Sequence, residues 1–492
     1  MQGKIMLDRT KHYISGEWTA SSSDRIVDVI NPATELIVAR IADGTKQDVE
    51  RAVRAARKAF PAWSTTSRED RTVRLRRLRS IYERRLEEMA EAISQEMGAP
   101  IRLSRTAHAP SGLEEIDACT EILQKFDFEK SVSEGENTDL IVYEPIGVCG
   151  LITPWNWPIS QVALKVFPAL ACGCTVVLKP SELAPLSSLL LAEMIDDAGF
   201  TAGVFNLVNG RGETVGAAIS SHPDVDMVSF TGSTRAGVAV SQSAAPTVKR
   251  VTLELGGKSP NILFADCKLE EAVARGIRMC FQNSGQSCNA PTRMLVERSI
   301  YDRVTKLAAD EVEKIRVGEP TQDGEHIGPV VSQAQFDRVQ ELLRVGVAEG
   351  ARVVAGGPGR PDGMDKGFFV RPTVFADVSN TMEIAQTEVF GPVLVIIPFD
   401  NEEQAVSIAN ETPYGLAAYI ETADHERGIR VAKRIQAGNV KINGTPRLKS
   451  SPFGGFKRSG NGRERGEYGF REYLELKAIS GSNTVRDSSR LD

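Results

Sequence analysis

The 492-residue chain carries 59 Lys and Arg against 65 Asp and Glu, a formal charge of −6, with 25% charged and 41% hydrophobic residues. That length suits two to four globular domains that bury their cores without disulfide or metal staples. The mild acidity argues against nucleic acid as the main partner, because such binders usually carry a basic excess, though it leaves room for a local basic patch. Seven cysteines, at 119, 149, 172, 174, 267, 280 and 288, contain no C-x-x-C, and no two of the five histidines lie within ten residues of each other. No local metal pattern is present, and the thiols read as reduced. The opening MQGKIMLDRTKHY lacks the apolar core of a signal peptide, and no run of about 18 apolar residues occurs, so the expected compartment is the cytoplasm.

Residues 46–60 predict a helix with Val49, Val53, Ala56 and Phe60 on one face. Residues 68–98 predict one long polar helix with the stripe Leu75, Leu78, Tyr82, Leu86, Met89 and Ile93. Its arginine run, RTVRLRRLRSIYERR, is interleaved with acids and reads as a solvated helix face rather than a nucleic-acid site. The polar segment 125–138 reads as an excursion or hairpin arm. From 139 the texture changes. The apolar runs LIVYEPIGVCGLI, CTVVLKP, VFNLVNG, VDMVSF and VKRVTLEL alternate with helical patterns, the signature of β-α-β units on a parallel sheet. A second alternating series from 260 (NILFA, RMLVE, VLVIIPFD) predicts a second α/β domain. The C-terminal SGSNTVRDSSRLD is polar and expected to fray.

Several segments carry residues suited to chemistry. In ITPWNWP, Asn156 stands between two tryptophans, so the loop is expected to pack in a crevice; its amide serves either an oxyanion or its own loop. In LKPSELAP, Lys179 and Glu182 follow a strand and suit ribose hydroxyls, or form a solvated loop. In FTGSTRAG, Gly232 and Ser233 open a helix, where a phosphate or a plain serine cap fits. The run is not G-x-G-x-x-G. In LELGGKSP, Glu254 ends a strand as an acid/base candidate or a solvated carboxylate, and Gly256–Gly257 permit close backbone approach or positive φ. Cys149, Cys172, Cys174 and Cys280 lie in apolar patterns and read as buried hydrophobes. Cys288, in NSGQSCNAPTR, lies in a polar turn instead, where a thiol reaches a substrate and backbone N–H groups face an oxyanion. Glu388 and Phe390 in EVFGPV, and the glycine-rich SSPFGGFKRSGNGRERGEYG, identify no chemistry alone.

PWNWP, KPSE, FTGST, ELGGK, GQSC, EVFGPV and PFGGFKRSG, seven motifs in order within 14–475, resemble the aldehyde dehydrogenase superfamily. The resemblance implies an α/β fold with a Rossmann-like cofactor domain (1–124 and 145–256), an α/β catalytic domain (257–465), an oligomerisation β-arm (125–144 and 466–485) and a polar tail (486–492). It implies Cys288 as nucleophile, Glu254 as general base and Asn156 as oxyanion donor. It implies a cofactor site of Ile152, Thr153, Pro154, Trp155, Lys179, Ser181, Glu182, Gly212, Phe230, Thr231, Gly232, Ser233, Leu255, Glu388 and Phe390. The cofactor implied is NAD, with NADP weaker. The reaction implied is oxidation of an aldehyde to a free acid through a thiohemiacetal and a thioester. Glu254 argues against transfer to coenzyme A, and the joint presence of Cys288, Glu254 and Asn156 argues against an idle scaffold. A homodimer or homotetramer is implied, with no metal, membrane or nucleic-acid partner. Trp157, Gln161, Leu164, Ser287, Asn289 and Leu448 are the implied substrate lining, and Trp157 and Leu164 favour an apolar or aromatic substrate. Arg447 is expected first as a surface arginine, with contact to the far carboxylate of a semialdehyde as the alternative.

Overall fold

Runs of β-branched residues with no alternation predict strands covered on both faces, and the structure, a computed structural model describing residues 6–135 and 137–481, contains such a sheet. Residues 486–492, expected as a polar tail, and the last four of the expected arm segment lie outside the described residues. Eight strands form one sheet in the order Gly460–Asn461, Arg250–Glu254, Met227–Thr231, Val148–Ile152, Thr175–Lys179, Phe205–Leu207, Lys11–Ile14 and Glu17–Ala20. The central five are parallel. The first of these five in the chain lies in the middle, so strand order reverses between Val148–Ile152 and Met227–Thr231. A crevice opens at the carboxyl ends of strands at such a reversal. Helix Pro158–Cys172, buried along its whole length, covers one face of this sheet. Helix Lys46–Ser64 also packs on it, started by a Thr45–Asp48 capping box.

A seven-stranded sheet runs Arg352–Ala355, Thr373–Ala376, Val393–Phe399, Arg293–Glu297, Pro260–Leu263, Ala417–Glu421 and Asn439–Ile442, all parallel but the first. A three-stranded antiparallel sheet joins Glu129–Glu134, Asn137–Pro145 and Leu474–Ser480. Among the described residues, no helix is long and apolar enough to cross a membrane, and no group of three or more His, Cys, Asp or Glu is placed to hold a metal ion.

Four expectations need correction. The helix expected over 68–98 is two, Arg68–Arg84 and Leu86–Met97, broken at Arg85. The Arg85 guanidinium is held there by Glu88 and Glu193, and the apolar spacing runs on across the break, which is why periodicity missed it. The run LIVYEPIGVCGLI is two strands in two sheets, parted at Gly147. Of the arm segment expected from 466, only Leu474–Ser480 is strand; Gly466–Arg471 is a helix that buries Phe470 against Phe126. Residues 460–461, assigned to the second domain, pair instead with the edge of the first sheet.

Gly147 is where the chain leaves the arm for the sheet. Its φ is +133°, and a Cβ there would stand 1.9 Å from Asp226 Oδ2. That oxygen accepts from Val148 N at 2.7 Å and pairs with Arg57 at 2.7 Å. Gly147→Ala is expected to cost about 2–4 kcal/mol from strain and the displaced carboxylate, while Gly212→Ala, in open space at ordinary φ, stays within about 0.5 kcal/mol. Thermal unfolding of both variants checks this; equal melting temperatures would refute it.

Candidate active site

The turn that carries Cys288 is built on left-handed backbone. Asn283, Ser284 and Gly285 have φ of 55°, 58° and 73°, and a Cβ on Gly285 would stand 2.0 Å from Gly391 O. Side-chain hydrogen bonds hold the two non-glycine residues in this conformation. Asn283 Nδ2 donates to Asn156 O at 2.7 Å, and Ser284 Oγ donates to Gly328 O at 2.7 Å. Gln286 Oε1 accepts from Val331 N at 2.9 Å. Asn156, only 4% exposed, donates one amide hydrogen to Gln286 O at 3.0 Å and keeps a second. Trp157 Nε1 donates to Ser287 Oγ at 2.8 Å, and its ring stacks on buried His108 with centroids 4.1 Å apart. Cys288 itself is half-buried. Burial, then the carboxyls of Glu388 and Glu254, hold its thiol well above the usual range. Cys149, Cys172, Cys174 and Cys280 are fully buried.

Glu254 is not solvated. It is 5% exposed, and neither carboxyl oxygen has a hydrogen-bond partner among the described residues. Burial foremost, with neighbouring Glu464, raises it well above the usual carboxylate range; Lys165 acts in the opposite sense. Lys165 Nζ lies 2.5 Å from Glu464 Oε1 and 3.1 Å from Ser229 Oγ, a buried ion pair beside Glu254. Of the two uses open to Gly256–Gly257, the structure shows close approach, not positive φ. A Cβ on Gly256 would fall 2.2 Å from Glu388 Oε2, and one on Gly257 would fall 2.5 Å from Cys288 O. Gly257 N donates to Glu388 Oε1 at 3.0 Å, yet burial still pushes that carboxyl up to about 7.

Two cavities reach Cys288. One, of about 210 Å³, brings together Pro154, Trp155, Asn156, Thr231, Gly232, Ser233, Glu254, Leu255, Glu388 and Phe390. Its remaining cofactor candidates lie along the same sheet edge. Ile152 pairs with both Lys179 and Phe230, and Thr153 N donates to Lys179 O at 3.1 Å. Ser181 is buried, and its Oγ accepts from Leu183 N. Lys179 Nζ meets Glu182 Oε2 at 2.6 Å. Gly212 stands apart, exposed at the start of a short π-helical turn, and does not line the cavity. Ser233 caps helix Thr234–Ala244, accepting from Ala236 N. Thr153 Oγ1 and Thr231 Oγ1 are buried without a partner among the described residues. Orphaned hydroxyls, a helix N-terminus and a strand-order reversal at one edge fit a dinucleotide.

The second cavity, of about 290 Å³, is lined by Trp157, Gln161, Leu164, Ser287 and Asn289, five of the six lining candidates, together with Tyr419, Lys441, Arg447 and Arg465. Leu448 does not line it and is 70% exposed. Arg447, expected first as a surface residue, is half-buried in this cavity, its guanidinium 5.0 Å from the Phe453 ring centroid. The chain enters this loop through a left-handed pair, Asn443 and Gly444. Sequence reasoning also passed over Asn283, which stands in the same polar turn as Cys288, and Gln335 and Arg338. These last two come from helix Gln333–Ala348 and bond the backbone of 388–390. On a partly solvated helix nothing marks such residues as inward.

Comparison with known proteins gives one consistent answer. The profile of the aldehyde dehydrogenase family matches residues 18–479. A 3-succinoylsemialdehyde-pyridine dehydrogenase of a Pseudomonas species is 52% identical over 477 residues, covering 97% of this chain and 99% of that protein. Aldehyde dehydrogenase C of Pseudomonas syringae, solved as a cysteine-to-alanine variant with NAD+ and octanal, superposes with a TM-score of 0.94 at 52% identity, over 96% of each chain. The NAD+ complex of an aldehyde dehydrogenase from Bacillus cereus superposes with a TM-score of 0.93 at 37% identity, over 96% of each chain.

A thiol held above neutrality has a thiolate fraction that grows with pH. Alkylation of Cys288 by iodoacetamide, followed by peptide mass spectrometry, is expected to quicken about tenfold per pH unit from pH 7 to 9. A plateau below pH 8 would show that the resting thiol is not held high.

Proposed function

The chain belongs to the aldehyde dehydrogenase family, and from that premise we propose that it oxidises an aldehyde to a free carboxylic acid with NAD as electron acceptor. The observation that carries this reading is the meeting of Cys288, Asn156 and Glu254 on one cavity beside a sheet edge suited to a dinucleotide. The proposed division is a cofactor unit around the eight-stranded sheet, a catalytic unit around the seven-stranded sheet, and a three-stranded arm. Exposed Val132, Leu476 and Ile479 on the arm support burial against another copy of the chain.

In the proposed mechanism the Cys288 thiolate attacks the aldehyde carbon. The spare Asn156 amide hydrogen and the Cys288 backbone N–H donate to the oxyanion that forms; one such donor is worth about 3 kcal/mol. NAD, held by Lys179, Glu182, Gly232, Ser233 and Glu388, supplies the acceptor for the hydride that leaves this carbon. The oxidised carbon remains on Cys288 as a thioester. Glu254, ionised, takes a proton from water as the water oxygen bonds to the acyl carbon. The C–S bond then breaks, releasing acid and restoring the thiolate. Glu254 then loses that proton and is ionised again for the next turnover. Because burial, with Glu464 beside it, raises Glu254 above the usual carboxylate range, deacylation draws on a base fraction that increases with pH. Trp157 and Leu164 suit an apolar or aromatic substrate body, and a semialdehyde also fits.

Two measurements test this. Cys288→Ala is expected to abolish NADH formation while NAD still binds. Glu254→Gln should lower steady-state kcat by about 10²–10⁴-fold, with a burst of NADH where hydride transfer outruns hydrolysis. Turnover by Cys288→Ala, or unchanged kcat in Glu254→Gln, would refute the assignment.

Cofactor choice is proposed to rest on Glu182. Lys179 and Arg211 keep its carboxyl charged in spite of burial, so a 2′-phosphate would face a negative group. NAD is expected to exceed NADP in kcat/KM by about tenfold or more, with Glu182→Gln narrowing the ratio. An unaltered ratio in the variant would remove Glu182 from the choice.

A further inference from the structure

Three cations stand in the substrate cavity, but only one is answered by an acid. Arg465 pairs with Glu115 at 2.5 Å. Arg447 makes a single hydrogen bond, Nη1 to Asn439 Oδ1 at 3.2 Å, and lies over the Phe453 ring. These two contacts fix its plane and leave most of its five N–H donors unspent. Lys441 Nζ has no hydrogen bond or ion pair among the described residues; it stands 6.0 Å from the Tyr419 ring centroid. Neither of these half-buried cations has an ion-pair partner among the described residues. Burial lowers the proton affinity of both; Arg447 adds to this at Lys441, and Arg465 adds to it at Arg447, which falls to about 10 although Glu115 and Glu464 act in the opposite sense. Unanswered charge in a partly desolvated cavity is costly.

The fold ties this pair to the reacting centre. Tyr419 and Lys441 are register partners on the parallel strands Ala417–Glu421 and Asn439–Ile442. The Tyr419 hydroxyl donates to Asn289 O at 2.8 Å, one residue past Cys288. One tyrosine side chain thus separates Lys441 from the backbone beside the thiol. Trp157 and Leu164 supply apolar wall in the same cavity.

We propose that the preferred substrate is an ω-oxo acid, an aldehyde whose far end is a carboxylate, held by Arg447 and Lys441 while its aldehyde carbon meets Cys288. Arg447 presents a planar fork that matches a carboxylate, and Lys441 adds a point charge to the same end. The inference rests on the reading of Cys288 as nucleophile given above, and it narrows the substrate of that site to an anionic class.

The test is kcat/KM for succinate, glutarate and adipate semialdehydes, each against the unsubstituted aldehyde of equal carbon number (butanal, pentanal, hexanal), at saturating NAD. The acid is expected to exceed its neutral partner at least tenfold at one or more lengths, mainly through KM. Arg447→Gln and Lys441→Gln should each reduce that ratio at least fivefold, and Arg447→Lys should restore part of it. Reading a ratio within each variant cancels any general loss of activity. Neutral aldehydes used as well as the acids at every length, or a ratio unmoved by both Gln variants, would overturn the inference while leaving aldehyde oxidation intact. NADH from none of the six would overturn the proposed function itself, and the inference with it.

Discussion

The site depends on the contact where the two large sheets meet across two glycines. At Gly256 and Gly257 the chain crosses from the strand that ends in Glu254 to the one that begins at Pro260. The space that two Cβ atoms would fill is taken by the Glu388 carboxyl and the Cys288 carbonyl. A β-carbon at either position would separate groups that come from three distant segments. The thiol turn, the acid-bearing strand and the 388–390 loop are therefore packed as one body, with the backbone at Gly256 and Gly257 in direct contact with the Glu388 carboxyl and the Cys288 carbonyl.

That body is unusual in its charge. Buried Glu254 and partly buried Glu388 are carboxyls held above the usual range, and the thiol on the same cavity is raised first by burial and then by these two acids. The groups restrain one another, since ionising any one makes the next harder to ionise. The cavity on the other side of Cys288, lined by Lys441, Arg447 and Arg465, has the opposite imbalance, with cations in excess of acids. An anionic molecule entering there moves toward positive charge, and its negative end is kept away from the carboxyls.

Much of this was legible in the sequence where a local rule applied. Strand and helix alternation from 148 to 254 follows from apolar runs punctuated by glycine and proline. Cys288 stood out because its neighbours were polar while those of Cys149, Cys172, Cys174 and Cys280 were not. What escaped the sequence depends on three-dimensional placement. The break at Arg85 is made by an acid 108 positions away and leaves the apolar period intact. The family resemblance pointed to Leu448, but Arg447 lines the cavity and Leu448 is exposed, a choice between neighbours in one loop that no local sequence rule makes. Gln335 and Arg338 carry no mark of their role, because polar residues on a helix read as solvated until another loop is packed over them.

The short strand Gly460–Asn461 closes the edge of the first sheet against Arg250–Glu254, and Asn461 Oδ1 accepts from Leu253 N across 208 positions of chain. During synthesis the strand bearing Glu254 therefore emerges with an open edge, which stays unpaired until nearly the whole polypeptide has left the ribosome. Glu464, which sets part of the potential at Glu254, arrives with the same late segment. A nascent chain ending before these residues holds the thiol turn and most of both sheets but lacks the surroundings of its buried acid. The surroundings of Glu254, on the cavity that also reaches the Cys288 thiol, are thus completed only when a segment about 200 residues further along the chain has been made.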